Sequence, residues 1–296
     1  MLIFLLSHVR GVIVSLLLLF NLFFWLLFLT PFIVIKILLP VRVIRKPTDA
    51  MLNLFCAAWA SCNTIYLHWI NKIKIDVEGV ENLNMKDWYL VLSNHQSWAD
   101  IIILQSVLNN RIPYFRFFLK KELVWIPVFN LVWYALDYPY MKRYSKPFLE
   151  KHPHLKGKDI ETTRKSCARF KDTPVSIMNF VEGTRFTMEK HNQQRSPYQH
   201  LLKPKAGGIA FVLAAMGDQL SSILDVTISY APKVAGFWDY LCGRVGEIKV
   251  HVSQLSISDE LKGDYFNDPV FKEKFQQFVN RLWSGKDKLI NDLRRG

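Results

Sequence analysis

Between Gly11 and Ile35 the chain carries no charged residue, and only Gly11, Ser15, Asn21, Thr30 and Pro31 interrupt the apolar run. At about 1.5 Å per residue, a helix over this stretch is long enough to cross a hydrocarbon core of about 30 Å with some tilt. Helices inside globular cores are seldom so long, and no small-x-small cleavage site follows, as a removed signal peptide would require. Lys36, Arg42, Arg45 and Lys46 follow the stretch, against Arg10 before it, so the charge bias places the body of the protein on the cytoplasmic side. Pro31 permits a kink, and with it a re-entrant path. A second mostly apolar segment, Met51 to Ile70, follows Asp49 as a possible cap. On a helical wheel Asn53, Ser61, Thr64 and His68 fall within about 80°, with Asn63 outside that arc. So narrow a polar stripe fits a helix lying in the interface, or one packed on the first helix. Residues 1–72 are therefore expected to be a membrane-seating helical segment, and 73–296 a globular domain.

Half of the 296 residues are hydrophobic, yet Lys and Arg number 38 against 25 Asp and Glu, a net charge of +13. An apolar and basic chain suits anionic membrane lipids. Nucleic acid is the competing partner for such charge, but there is no Arg-rich helix, zinc-ligand spacing or RNP-type motif, and none is expected to bind. Cys56, Cys62, Cys167 and Cys242 show no paired spacing, which fits a reducing compartment.

From Ile73 onward short strand-like runs alternate with helical stretches: Ile73 to Val77, Trp88 to Leu92, Val175 to Val181, Val226 to Tyr230 and Lys249 to Leu255. The alternation predicts an α/β fold, a mixed sheet flanked by helices and preceded by the membrane-seating helices. A late helix starting at Asp268-Pro269 would bury Phe271, Phe275, Phe278, Val279 and Leu282, with Gly285 expected to end it.

The chemistry gathers at strand ends. Asn94-His95-Gln96-Ser97-Trp98-Ala99-Asp100 follows the unbroken apolar run Trp88 to Leu92 and precedes a helical pattern, Ile101 to Leu108. Ligands collect at the carboxyl ends of strands in open α/β sheets. An Asp that accepts the Nδ1 proton of a His fixes its tautomer and leaves Nε2 free to act as a general base on an alcohol. A dyad without a nucleophile points to direct transfer. The spacing alone does not decide this. Ser97-x-x-Asp100 is also a capping-box pattern, and His154 and Asp159 repeat the same interval inside a loop-like stretch.

Three further groups accompany the dyad. Val175 to Val181 ends in Glu182-Gly183-Thr184-Arg185, where Gly183 allows close backbone approach, Arg185 suits a phosphate, and Glu182 can accept hydrogen bonds from a polyol or form a simple salt bridge. Lys142 and Arg143 close a short run from Asp137. Lys203-Pro204-Lys205-Ala206-Gly207-Gly208 is a basic, glycine-containing helix start of the kind that binds anions.

In this order, Asn94-His95-x4-Asp100, Lys142-Arg143, Phe180-Val181-Glu182-Gly183-Thr184-Arg185 and Lys203-Pro204-Lys205-Ala206-Gly207 resemble the lysophospholipid and glycerol-phosphate acyltransferases, especially the membrane-bound bacterial 1-acylglycerol-3-phosphate acyltransferases. The Phe118 to Leu123 run is similar to that of a longer branch, and the likeness covers roughly residues 75–230. It implies that His95 is the base on the acceptor hydroxyl and Asp100 its orienting partner. Arg143, Glu182, Gly183, Thr184, Arg185 and Lys205 would bind substrate. Asp137 stands where the family's second motif usually starts with Gly, Asn130 where a Gly often follows Pro127 to Phe129, and Val226 to Tyr230 lacks the proline usual in the fourth motif.

The implied activity is transfer of a fatty acyl group from a thioester, acyl-CoA or acyl carrier protein, to a lysophospholipid hydroxyl, most simply that of lysophosphatidate. Backbone donors near the helix start are expected to stabilise the oxyanion. No cofactor or metal is expected beyond the donor substrate, and a bacterial inner membrane is the expected setting. Remodelling of another lysophospholipid, such as lysophosphatidylglycerol, is the alternative within the same chemistry. A non-catalytic protein that binds anionic lipid is the alternative outside it.

Overall fold

The computed structural model describes residues 2–39, 41–120, 125, 127–138, 140, 141, 158–170, 173–232, 234 and 236–295. Two long helices open the chain, α1 (Leu2–Leu38) and α2 (Arg42–Tyr66), the second ending in a π turn, Leu67–Asn71. Both are long and apolar enough to cross a membrane. The first runs without interruption through Pro31. Leu16, Phe20, Phe23 and Leu27 are exposed along one stripe of α1 at helical spacing, the pattern of a lipid-facing surface. Its other side is fixed to α2, where Asn21 Nδ2 donates to Asn63 Oδ1 at 2.7 Å and to the Trp59 carbonyl at 3.0 Å.

Asp49 does not cap α2, which starts a full two turns earlier. It pairs instead with Lys36 at 2.5 Å, and Lys36 and Arg45 both pair with Asp137, at 2.7 and 2.8 Å. Asn53, Ser61 and Thr64 of the polar stripe face protein rather than an interface, while His68 is exposed. Asn53 accepts from Arg116, Ser61 from Asn109, and Thr64 shares a hydrogen bond with Ser106.

Among the described residues eight strands follow: β1 (Ile75–Glu78), β2 (Tyr89–Ser93), β3 (Phe115–Phe117), β4 (Leu119–Lys120), β5 (Tyr140–Met141), β6 (Ser176–Phe180), β7 (Ser222–Ala231) and β8 (Glu247–Leu255). Six form one sheet in the order β1-β8-β7-β2-β6-β3, parallel except where β7 meets β8, while β4 and β5 pair separately. The mixed sheet expected from the sequence is present. All five residues of β2 are buried, as an unbroken apolar run in a central parallel strand should be. In β8, which pairs antiparallel with β7 and parallel with the edge strand β1, buried and partly exposed positions alternate instead.

Helices cover both faces of the sheet: α3 (Ala99–Leu108), α4 (Pro127–Ala135), α5 (Lys158–Cys167), α6 (Met188–Gln194), α7 (Ala206–Met216), α8 (Phe237–Leu241) and α9 (Pro269–Arg295). One core joins β2, β6, α5, α7 and α9; the other joins the opposite sheet face to α3 and α8 and takes in Val14 of α1. The late helix does not stop at Gly285. It continues to Arg295 because its buried face runs on through Phe275, Val279, Trp283, Lys286 and Ile290, and this packing outweighs the modest cost of one glycine.

Candidate active site

The register of three parallel strands builds the site. Ser93 of β2 lies opposite Phe180 of β6 and Val226 of β7, so the residues just beyond these strand ends, His95 and Glu182, emerge side by side. Asn94 locks the turn to its neighbour strand: its side-chain amide donates to the Ile228 carbonyl and accepts from the Ile228 N-H, both at 2.9 Å, imitating one step of a β ladder.

His95 Nδ1 lies 2.9 Å from Asp100 Oδ2. Asp100 is fully buried, and the same oxygen accepts from the Gln96 N-H at 2.6 Å and the Ser97 N-H at 2.9 Å. Its Oδ1 accepts from the Tyr230 hydroxyl. Burial and the Asp100 carboxylate hold the Tyr230 phenol well above its ordinary value, so the hydroxyl stays a donor. With Asp100 accepting from these donors, the network assigns the histidine proton to Nδ1. Among the described residues Nε2 has no hydrogen-bond partner, and the side chain keeps 11% exposure. Phe180 stacks on the imidazole, ring centroids 3.9 Å apart, and fixes its plane.

Orienting the histidine and serving the helix start are therefore not alternatives here; Asp100 does both. This has a consequence for the expected oxyanion donors. The N-H groups of Gln96 and Ser97 are consumed by Asp100, and that of Ala99 points to the Ser97 hydroxyl at 3.3 Å, so these groups are not free to receive an oxyanion.

Glu182 sits differently from a direct polyol contact. It is fully buried, its Oε1 accepting from the His95 N-H and its Oε2 from the Leu202 N-H, each at 2.9 Å. It braces the backbone of the histidine. Burial pushes its carboxyl up to about 7, against the two backbone hydrogen bonds and the charge of Lys286, which act to lower it. Gly183 has a φ of +67°, and a Cβ there would meet the Lys205 side chain at 3.1 Å, so the left-handed turn and the close lysine both favour glycine. Thr184 accepts from Lys190 at 2.8 Å, and the Arg185 guanidinium lies over the Trp98 ring, 4.4 Å from its centroid. Arg185 is thereby held over Trp98 with part of its surface open. Arg143, Lys142 and His154 lie outside the described residues.

Several participants were not singled out by sequence reasoning. Tyr230 was read only as part of an apolar strand, although a hydroxyl at the end of such a run is itself a signal. Lys286 was hidden by the expected stop at Gly285. Its ammonium is fully buried, 2.8 Å from Asp225, and donates to the Val226 carbonyl at 2.6 Å and the Thr227 hydroxyl at 3.0 Å. Asp137 explains a departure from the family pattern: its φ is +56°, a conformation easiest for glycine, and its carboxylate is engaged by Lys36 and Arg45. Burial works to raise that carboxyl, but the two cations outweigh it and hold it below the ordinary value.

With this geometry, residues 74–231 match the family model described as Acyltransferase. The chain belongs to the acyltransferase family. Among curated relatives it is 21% identical over 270 residues to the probable 1-acyl-sn-glycerol-3-phosphate acyltransferase 5 of Arabidopsis thaliana, covering 86% of this chain and 65% of the relative. It is 22% identical to the mouse 1-acyl-sn-glycerol-3-phosphate acyltransferase epsilon, with 87% and 70% covered. The chain thus spans about two thirds of the length of these relatives. The crystal structure of the 1-acyl-sn-glycerophosphate acyltransferase PlsC from Thermotoga maritima shares the fold, with a TM-score of 0.54 at 19% identity over 96% of this chain and 97% of that one. In this acyltransferase the His95 dyad and the Glu182 turn fall inside the matched region.

Proposed function

We propose that the protein transfers a fatty acyl group from a thioester to the free hydroxyl of a lysophospholipid, with 1-acylglycerol-3-phosphate as acceptor and phosphatidate as product. The observation that carries this reading is the half-built proton relay: Asp100, saturated with donors, on one nitrogen of His95, and on the other an Nε2 with no partner among the described residues. Binding alone needs neither a base nor its orienter.

In the proposed step Nε2 takes the hydroxyl proton as the acceptor oxygen attacks the thioester carbonyl. Asp100 stabilises the resulting imidazolium. The carbon-sulfur bond then breaks, and the departing thiolate takes the proton back from His95. Arg185, over the Trp98 ring, supplies positive charge for the acceptor phosphate. The lipid-facing stripe of α1 seats the enzyme in a membrane, proposed to be a bacterial inner membrane with the α/β domain on the cytoplasmic side. Replacing His95 by Ala should lower turnover by about 100-fold or more while the protein stays with the membrane fraction. Near-normal transfer by the purified variant would overturn the dyad assignment.

A further inference from the structure

The turn that carries Gly183 has a second neighbour. A cavity of about 920 Å³ opens between α9, the start of α7 and the chain from Pro197 to Lys205. Its volume lies within the range of about 300–1,000 Å³ common for small-molecule sites. Lys203, Lys205 and Lys288 line it, and none of the three is in an ion pair among the described residues. Among the described residues the one carboxylate in the lining, Asp287, is occupied by the backbone N-H groups of Gln199 and His200, each at 2.8 Å. The cavity is therefore cationic. Tyr198 and Tyr265 add aromatic surface to its walls.

Lys205 joins this cavity to the dyad. Its side chain lines the cavity and also lies against Gly183, two residues beyond Val181 and three beyond Phe180, whose ring covers His95. On the acyl-thioester reading given above, we infer that this cavity binds the nucleotide end of an acyl-CoA, its phosphates on the three lysines and its base against the tyrosines.

Three features favour this ligand. Phosphate groups need clustered unpaired cations, and a planar base is accommodated by aromatic walls. The volume exceeds what a single phosphate or a slim pantetheine arm would fill. A membrane lipid is a poor match, because the lining comes wholly from the α/β domain, with no residue of α1 or α2.

The test uses the full chain in detergent or nanodiscs. Adenosine 3′,5′-bisphosphate should bind by calorimetry and compete with acyl-CoA but not with the acceptor. Lys288 and Ser284 lie on the exposed side of α9 and line the cavity. Lys288→Glu and the space-filling Ser284→Trp should each raise the KM for acyl-CoA and weaken the bisphosphate by about tenfold, with kcat and the acceptor KM kept within about twofold. Absence of bisphosphate binding to the wild type, or variants that leave the donor KM unchanged, would overturn the inference. Efficient transfer from acyl carrier protein alone would do the same while leaving the acyltransferase reading intact. Loss of that reading, through an active His95→Ala variant, would leave the bisphosphate measurement standing as an independent result.

Discussion

Glu182 shows how a motif residue can brace the backbone of a proposed catalytic histidine from a buried position. Both of its oxygens are used to hold backbone N-H groups, one of them belonging to His95, and burial lifts its carboxyl from the ordinary 4.5 to about 7. Because the folded value is the higher one, the folded chain binds the extra proton between about pH 4.5 and about 7. The associated stability is full below about 4.5 and is lost as pH rises through about 7, a change of about 3 kcal/mol. Thermal unfolding of wild type and Glu182→Gln across that range should show the difference: the wild type loses Tm relative to the variant as pH rises. The sequence made this residue legible as functional but not its direction, because an acidic side chain at a strand end reads the same whether it points outward or down. His95 and Asp100 were fully legible as a pair. What no spacing disclosed was the number of donors converging on Asp100, since Tyr230 is 130 positions away from it.

At the scale of elements, α9 does most to hold the loops of the candidate site. Trp283 donates to the Leu202 carbonyl, Asp287 accepts from Gln199 and His200, and Asn291 and Arg294 hold the His200 ring. Leu202 in turn holds Glu182, and the His200 carbonyl lies 3.4 Å from the Gln96 amide. The helix start and its aromatic face were readable, whereas its second half was not, because a glycine looks like a stop when the apolar period beyond it contains a lysine. Nothing lies within 4 Å of a Cβ built on Gly285, so Gly285→Ala should stabilise the protein by about 0.5–1 kcal/mol, seen as a small rise in Tm. Lys286→Met should do the opposite. It leaves Asp225 without its cation in a buried setting, at a cost of about 3–5 kcal/mol, and Lys286→Met combined with Asp225→Asn should recover most of the lost Tm. The short strands β3 to β5 were missed altogether, two or three residues being too few to show a period.

Across the whole molecule, the two opening helices and the α/β domain are riveted together by charge as well as by packing. Asp137, in its left-handed turn after α4, receives Lys36 from α1 and Arg45 from α2. The sequence showed Asp137 only as a departure from an expected glycine, and showed Asp49 as a cap; their common partner, Lys36, is distant from both in the chain. Removing one charge should loosen the attachment without disturbing the dyad. Asp137→Asn is expected to lower Tm by an amount equivalent to about 3 kcal/mol and to speed limited proteolysis between the helical pair and the domain, while KM for both substrates stays close to wild type. Unchanged cleavage would mean that apolar packing alone carries the junction.

The position of α9 in the chain gives the molecule an order of assembly. The ribosome makes α1 more than 200 residues before α9. At about 5–20 residues per second, the apolar hairpin emerges tens of seconds or about ten seconds ahead of the helix that steadies Leu202, Glu182 and His95. On the proposed function, the chain would reach the bilayer before it is competent to react, and a lipid-modifying site would be completed only where its lipid already is.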